Sequence, residues 1–263
     1  MKNIIATHGG RIRCLIQKYF KDKINNKMGF NNCAVIKISA NDNYLYAKLI
    51  YEGENSSTSI NKKKHHTKET FGKIKSNIQV SGLMNCEIYL IRHGEGYHNT
   101  YSLLKKMTIK LFSNDPKLTL QGIQQAQNCG KFLKSYFAGA PTKFKFYGSY
   151  MNRAYTTMAY IMENMNIHSN TMIRILPCLH EIPYKSNGNC DKNIIYTYAE
   201  NTPKCFDHMN RDYCKKALKY KLSWAYFIKN GKYDINKFNC HNIDLFYFIS
   251  GPGPKIMRGP KIV

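Results

Sequence analysis

The first part of the chain combines short apolar runs with one helical stretch. Residues 3–6 are apolar enough for a strand, a glycine pair follows as a turn, and residues 11–20 repeat apolar side chains at helical spacing. Residues 33–39 and 44–51 are β-like runs separated by a short polar stretch, which is the pattern of a hairpin. This region therefore predicts a strand, a turn and a helix, followed by two neighbouring strands at a sheet edge.

The apolar pattern is interrupted from residue 53 onward, where Ser, Asn, Lys, His, Thr and Glu dominate. We assign residues 53–84 to a polar linker between residues 1–52 and the rest of the fold. The linker carries a basic run at residues 62–66, but no aromatic residue is interleaved with it for stacking on bases. We interpret this run as solvated linker. A nucleic-acid partner is compatible with the charge but is indicated by no motif.

Strands and helices alternate again in residues 85–250, before a Gly- and Pro-rich tail at residues 251–263. The apolar runs predict strands at 86–91, 144–149 and 243–250, and the helical spacing predicts helices at 120–137, 153–164 and 213–230. Such alternation is typical of a mostly parallel sheet covered by helices on both faces. The predicted fold class is therefore α/β, in the form of a three-layer α/β/α sandwich.

The charge balance is strongly basic, with 40 Lys and Arg against 16 Asp and Glu and a formal net charge of +24. This charge favours encounter with anions, such as phosphorylated small molecules or nucleic acid. No apolar run reaches the ~20 residues of a membrane span, which indicates no membrane partner. The nine cysteines include no Cys-x-x-Cys pair, as is typical of reduced thiols, and their spacing from histidines matches no zinc pattern. The composition thus predicts a cytoplasmic protein without a metal site.

Arg92-His93-Gly94-Glu95 stands where the apolar strand at residues 86–91 gives way to a glycine turn. In open parallel sheets, ligands bind outside the carboxyl ends of the strands, so a histidine at this position is well placed to meet a ligand. A single strand-end histidine is more often structural than functional. The interpretation of the motif therefore depends on the residues that accompany it.

Several further residues follow this motif in order along the chain. They are Asn99, then Leu118, Thr119, Leu120, Gly122, Gln125 and Ala126, then Ser149, Arg153, Ala154 and Thr157, and finally Leu179 and Glu181. The series, from about residue 86 to 182, resembles the histidine phosphatase superfamily, which also contains the cofactor-dependent phosphoglycerate mutases. The resemblance implies the phosphoglycerate mutase-like form of the α/β/α sandwich, and it implies that no metal or organic cofactor is required.

The resemblance also implies roles for individual residues. His93 would be the nucleophile, because a neutral imidazole nitrogen can accept a phosphoryl group. Arg92 and Arg153 would bind the phosphoryl oxygens through forked hydrogen bonds, with Asn99 as a further contact. Glu181 would protonate the leaving oxygen and then activate water. The motif around His93 looks more like the phosphatases than the mutases, so the expected activity is a phosphatase that acts on a phosphomonoester through a phosphohistidine.

The superfamily places a second histidine late in the chain, after an apolar strand. Here the late strand at residues 243–250 is followed by Gly251, so the histidine is absent from that position. A strand, a His-Gly pair and a helix of the expected kind occur instead at the N-terminus, with His8 in the histidine position. We therefore interpret the chain as circularly permuted, with residues 1–52 as the C-terminal portion of the fold and His8 as the second catalytic histidine. Two truncated tandem domains, completed by domain swapping between chains, are the alternative.

Two other functions stay open at this point. A phosphomutase would return the phosphoryl group to the substrate instead of passing it to water. A catalytically inactive, basic binding protein on the same fold would agree with the net charge of +24 and with the glycine at position 251. The loops that would select the substrate match no known pattern, so the sequence predicts a small phosphorylated substrate without naming it.

Overall fold

The computed structural model describes the residues from which the fold and the site are built. They are residues 2–19, 29–41, 44–56, 70–75, 87–100, 116–138, 143–149, 151–175, 179, 181, 222–224, 228–229 and 232–233. The predicted strand at 243–250, the tail at 251–263 and the basic run at 62–66 lie outside these ranges.

The described strands form one large sheet and one separate short pair. In chain order they are β1 Lys2–Thr7, β2 Val35–Asn41, β3 Tyr44–Tyr51, β4 Thr70–Lys75, β5 Glu87–Arg92, β6 Phe144–Gly148, β7 Ile173–Ile175, β8 Leu222–Trp224, β9 Ile228–Lys229 and β10 Lys232–Tyr233. The order across the large sheet is β4-β3-β2-β5-β1-β6-β7-β8. Strands β5, β1, β6, β7 and β8 are mutually parallel, whereas β2, β3 and β4 are added at one edge by antiparallel pairing. The sheet is therefore mixed and mostly parallel.

Helices lie on both faces of this sheet. The described helices are α1 Gly9–Tyr19, α2 Tyr97–Thr100, α3 Leu120–Tyr136 and α4 Asn152–Asn164. On one face, α3 and α4 share a core with alternate strand residues, including Ile4 and Tyr89. Because strand side chains alternate between faces, the buried Ile5 and Leu90 point to the other face, where α1 packs with Ile12 fully buried. This arrangement confirms the predicted three-layer α/β/α class. None of the described helices is long and apolar enough to cross a membrane.

Strand β1 comes first in the sequence but lies inside the sheet, between β5 and β6. Its residues 4–6 have no solvent exposure, because helices cover the sheet on both faces there. In the parallel register, Thr7 pairs with Arg92 of β5, and Ala6 pairs with Gly148 of β6. The residues that follow these three strands therefore leave the sheet side by side, at the same edge.

Helix α1 begins earlier than the sequence predicts. The glycine pair expected as a turn forms its first residues, and Ile12 N donates to His8 O at 3.0 Å across the first helical turn. Glycine is a poor helix former, but the first turn is also packed closely against another side chain. A Cβ at Gly9 would lie 3.3 Å from Arg92 Cδ, so the small residue leaves room for the arginine. The helix therefore starts directly after His8, at the end of β1.

Two other predicted segments differ in the structure. The linker predicted at residues 53–84 contains β4, which pairs with β3, and its first residues lie against α3. An open edge of β3 presents backbone donors and acceptors, and β4 satisfies them although its surroundings in the sequence are polar. The helix predicted at residues 213–230 contains β8, which extends the sheet parallel to β7, and also β9. In both places, pairing with a neighbouring strand outweighs the local sequence pattern.

Gly53 directs the chain from the end of β3 back towards α3. Its φ of +69° lies in the left-handed region, and a Cβ there would lie 2.2 Å from Asn32 O. We expect Gly53→Ala to lower the free energy of unfolding by about 2 kcal/mol or more, because the backbone has to shift next to the bridge between Asn32 and Glu54. Urea unfolding followed by circular dichroism measures this change. Gly148→Ala is the matched control, since a Cβ at Gly148 would make ordinary contacts of 3.6 Å. Equal losses in the two variants would contradict the prediction.

Candidate functional site

Polar residues meet at the carboxyl ends of β5, β1 and β6. His93 N donates to Thr7 O at 2.9 Å and Ser149 N donates to Ala6 O at 3.0 Å, so backbone pairing continues past the strand ends. The rings of His8 and His93 lie 5.1 Å apart between centroids, and His8 Nε2 lies 3.0 Å from Ser149 Oγ. Both histidines are buried, with 0% and 2% exposure. Two imidazoles that are far apart in the sequence thus share one buried position.

The hydrogen bonds of His93 assign its proton. Nδ1 lies 2.6 Å from Gly94 O, and because a carbonyl oxygen can only accept, Nδ1 carries the hydrogen. Arg153 Nε donates to His93 Nε2 at 3.3 Å, so Nε2 accepts through its lone pair. The ring is therefore a neutral imidazole with an unprotonated Nε2 directed at a guanidinium. This is the form in which a histidine can act as a nucleophile.

Arg153 and Glu181 form an ion pair next to the two histidines. Arg153 lies near the start of α4 and is buried, and its Nη2 contacts Glu181 Oε2. The same carboxylate oxygen lies 3.6 Å from His8 Nδ1. The segment that carries Glu181 is attached to the end of β1, because Thr7 Oγ1 donates to Leu179 O at 2.8 Å. A single carboxylate oxygen therefore lies between a guanidinium and an imidazole.

Arg92, the last residue of β5, brings a second, partly buried guanidinium to the site. Its Nη1 donates to Phe30 O. Burial lowers the pKa of Arg92 from its ordinary value, the nearby Glu181 carboxylate opposes this shift, and the nearby Arg13 and Arg153 reinforce it. Arginine stays charged despite such a shift, so the site holds several positive charges around one carboxylate. An added anion would offset this surplus of positive charge.

The His93 loop, defined as residues 93–95, is held by α3 and α4. Gly94 N donates to Thr157 Oγ1 at 3.0 Å, which attaches the loop to α4. The first turn of α3 lies directly on the loop, since a Cβ at Gly122 would be 2.1 Å from Glu95 O. Only glycine permits this approach, so the loop has little freedom to move without α3. The unprotonated nitrogen of His93 is therefore presented from a loop that two helices hold.

Five of the six residues predicted from the sequence form one group around His93. The sixth, Asn99, lies on α2, after the His93 loop. Those in mutual contact, or within 3.6 Å, are His8, His93, Arg153 and Glu181. Arg92 precedes His93 directly and pairs across the sheet with Thr7, the residue before His8. Asn99 lies on α2, where its side chain accepts a hydrogen bond from Gly96 N at 3.2 Å and shapes the chain that follows the His93 loop.

Sequence reasoning assigned no site role to several residues that contact His8 or the His93 loop, among them Ser149, Gln125 and Ser56. Ser149 lies against His8, Gln125 binds the backbone of the His93 loop, and Ser56 binds the side chain of Glu95. Ser149 and Gln125 belong to the ordered series of residues that carried the resemblance, and that order was the available signal. Ser56 belongs to no motif, because its contact arises only from the path of the chain after β3.

The cluster can be compared with a metal site. Ligand atoms of His8, His93 and Glu181 all lie within 4.8 Å of one another, which would suit a small cation. Arg153, however, donates to His93 Nε2 and contacts Glu181 Oε2, two of the atoms that a metal ion would need. A fixed guanidinium at these atoms repels a metal ion and attracts an anion. The donor set therefore suits a phosphoryl group better than a metal.

Comparison with known proteins finds a sequence family that matches part of this chain. Residues 88–217 match the sequence model of the histidine phosphatase superfamily (branch 1), and this region includes His93, Arg153 and Glu181. A similar solved structure is the ecdysone phosphate phosphatase, EPPase, from Bombix mori in complex with tungstate. The two proteins are 19% identical with a TM-score of 0.30, over 56% of this chain and 60% of EPPase. The similarity thus spans about three fifths of that protein. No curated protein sequence matches the chain.

Proposed function

We propose that this chain, a member of the histidine phosphatase superfamily through residues 88–217, is a phosphatase that transfers the phosphoryl group of a phosphomonoester to His93 and then to water. Membership indicates phosphoryl transfer of the phosphatase or phosphomutase type. One observation carries the proposal: the unprotonated Nε2 of His93 lies beside the Arg153 guanidinium, and the ring centroids of His8 and His93 are 5.1 Å apart. This arrangement suits the transfer of a dianionic phosphoryl group, because it places a nucleophile, a fixed cation and a second imidazole next to one another.

In the first step, His93 Nε2 attacks phosphorus, an N–P bond forms and the P–O bond of the ester breaks. Arg153 would stabilise the transferred group, because its planar guanidinium can donate two hydrogen bonds to phosphoryl oxygens. Arg92 and Asn99 would bind the remaining oxygens. The role of Arg153 is supported by its burial next to His93, and that of Arg92 by its place directly before His93 in the chain. These roles also predict that lysine in place of either arginine would lose the forked geometry.

Glu181 supplies the proton that the leaving oxygen needs. Its Oε2 lies against Arg153 Nη2 and 3.6 Å from His8 Nδ1, a position suited to a phosphoryl oxygen of the substrate. A bound phosphoryl group would take over these two partners, with His8 donating from Nδ1. The Glu181 side chain is 40% exposed and can rotate away. It would then protonate the leaving oxygen, accept a proton from the attacking water, and so allow the N–P bond to break with release of inorganic phosphate.

We also propose that the chain is a circular permutation of the superfamily's usual order, with residues 1–52 supplying the second histidine. The position of β1 between β5 and β6 supports this proposal, because it brings His8 to His93 within a single chain. The alternative of two domain-swapped copies would require β1 to pair with another molecule. The family match at residues 88–217 does not include His8, as a permuted order requires.

The proposal includes the partner and the location expected from the sequence. The substrate is a small phosphorylated molecule, which agrees with the surplus of positive charge around His93 and Arg153. The location is the cytoplasm, in agreement with the free thiols of Cys33 and Cys129, both of which are buried.

A phosphate-release screen tests the proposed function. The full chain is incubated with para-nitrophenyl phosphate and with panels of sugar phosphates, nucleotides and phosphopeptides, and inorganic phosphate is measured. We expect release from at least one substrate and, after rapid quenching with radiolabelled substrate, an acid-labile phosphorylated protein. His93→Ala and His8→Ala serve as parallel variants, both expected to lose release, and the labelled protein is expected to be absent from His93→Ala.

Other outcomes of the screen would overturn the proposal in favour of a different function. An isomerised phosphorylated product without free phosphate would identify a phosphomutase. No turnover by the parent protein, together with salt-sensitive binding of nucleic acid that His93→Ala retains, would identify a basic binding protein on the same fold.

A further inference from the structure

A chain of hydrogen bonds connects the segment after β3 to the ring of His93. The segment, defined here as the docking segment, comprises residues 54–56, and it lies against α3. We infer that Gln125 is a positioning residue for the proposed reaction, which orients the nucleophile through one peptide group and is itself held by the docking segment. This inference rests on the proposed function for its kinetic test but not for its spectroscopic test.

The peptide between Gly94 and Glu95 sets the orientation of the His93 ring. Its carbonyl, Gly94 O, accepts the hydrogen bond from His93 Nδ1 at 2.6 Å. Its N–H, on Glu95, donates to Gln125 Oε1 at 2.8 Å. The carbonyl and the N–H of a trans peptide point in opposite directions from one rigid plane. Fixing the N–H on Gln125 therefore fixes the carbonyl on Nδ1, and this keeps Nε2 unprotonated.

Gln125 is in turn oriented by the docking segment. Its Nε2 donates to Asn55 O at 3.1 Å, while its Oε1 accepts from Glu95 N. A flipped amide would place two donors against each other at Glu95 and two acceptors against each other at Asn55, so the partners determine the orientation. Gln125 is fully buried, and a buried amide that lost either partner would carry an unsatisfied group. Gln125 is thus held at both ends.

The docking segment is anchored on both sides of Asn55. On one side, Glu54 forms a backbone bridge with Asn32, at 2.9 and 3.0 Å, and its carboxylate accepts from Asn128 Nδ2 at 2.9 Å. On the other side, Ser56 Oγ donates to Glu95 Oε2. These contacts hold the carbonyl of Asn55 in place for Gln125.

The carboxylate of Glu95 adds a second link to the same loop. The residue is 1% exposed, and its two oxygens accept from the hydroxyls of Ser56 and of Thr119, the latter at 2.8 Å. Thr119 is also the N-cap of α3, where its hydroxyl accepts from Gly122 N at 2.9 Å. The loop, the start of α3 and the docking segment therefore form one connected network, and such networks hold side chains at reacting centres in place.

Gln125→Leu tests the inference, because leucine is close in size but makes neither hydrogen bond. With para-nitrophenyl phosphate as substrate, we expect kcat to fall about 10- to 100-fold while KM stays within about twofold, since a misdirected nucleophile slows transfer without weakening phosphate binding. Gln124→Leu is the matched control. Gln124 precedes Gln125 in α3 and is exposed, and its side chain donates to Asn128 Oδ1 one helical turn later. Parental kinetics are therefore expected for this variant.

Nitrogen-15 NMR of the imidazole measures the orientation without any turnover. In the parent protein and in Gln124→Leu, we expect His93 as a single tautomer with hydrogen on Nδ1. In Gln125→Leu, we expect the other tautomer to be populated as well, which a purely structural role of Gln125 would not cause. Should Gln125→Leu fail to fold, Gln125→Glu keeps the acceptor for Glu95 N and removes the donor to Asn55 O, and the same two measurements are made on it.

The outcomes are separable. Parental kcat and a single His93 tautomer in a folded Gln125 variant would overturn the positioning role, whatever the activity of the parent. If the parent released no phosphate and formed no phosphoprotein, the proposed function would fail, while the tautomer comparison would still decide whether Gln125 orients His93.

Discussion

Replacing His93 by asparagine is expected to lower kcat for phosphate release by on the order of 10⁴-fold or more, because the variant lacks the nitrogen that forms the N–P bond. Asparagine keeps a polar side chain but has no lone pair of comparable nucleophilicity at the position of Nε2. Arg153 and His8 stay in place and still bind the phosphoryl group, so substrate affinity is expected to change much less than turnover. Steady-state phosphate release and equilibrium binding of inorganic phosphate measure the two effects separately.

The control for this variant is His168→Asn, which changes an exposed histidine in the turn after α4. It is expected to keep parental activity. Because His93 is only 2% exposed, thermal unfolding of His93→Asn has to show a cooperative transition before the kinetics are interpreted. Residual release within tenfold of the parent, by a folded variant, would exclude His93 as the nucleophile.

Arg153→Lys is expected to lower kcat/KM by roughly 10² to 10³-fold, equivalent to about 3–4 kcal/mol of transition-state stabilisation. Arg153 donates from Nε to His93 Nε2 and contacts Glu181 Oε2 through Nη2, and one planar group makes both contacts. Lysine keeps the charge but concentrates it on one atom, so it cannot serve both positions or bind two phosphoryl oxygens side by side. The loss is therefore expected from geometry and not from net charge.

The matched control is Arg174→Lys, an equivalent change on β7, where the guanidinium lies 5.8 Å from the ring centre of Tyr147. It is expected to retain parental kcat/KM. The two variants are compared by progress curves with the same substrate at the same ionic strength, because exposed charges are screened by salt and buried ones much less. An Arg153→Lys variant as active as Arg174→Lys would show that positive charge alone suffices and would contradict the proposed fork.

The strand-to-loop transitions could be predicted because each depends on a few neighbouring residues. The apolar run before Arg92 is followed by a glycine turn, and the run at residues 144–149 precedes the helix with Arg153, so both strands and their helices appear in the structure near the predicted bounds. The position of His8 after β1 follows from the same local pattern. The start of α1 at Gly9 was missed, because the glycine pair resembles a turn until the packing of Arg92 against it is known.

Contacts made by the segment after β3 could not be predicted in the same way. Its polar composition predicts a solvated linker, yet Glu54, Asn55 and Ser56 bind α3 and the His93 loop. Polar residues form hydrogen bonds of this kind only when the fold brings the partner groups within hydrogen-bonding distance. The left-handed turn at Gly53 creates that condition, and it is not visible in the composition.

By itself, the sequence determined the class of fold, the two histidines and Arg92 at the ends of apolar strands, and the basic character of the molecule, because these depend on local periodicity and residue chemistry. The tertiary structure alone decided that β1 lies between β5 and β6, that β4 and β8 extend the sheet, and that Gln125 binds the His93 loop. These features depend on backbone pairing and close packing between distant segments. Such interactions become favourable only once the chain has brought both partners together.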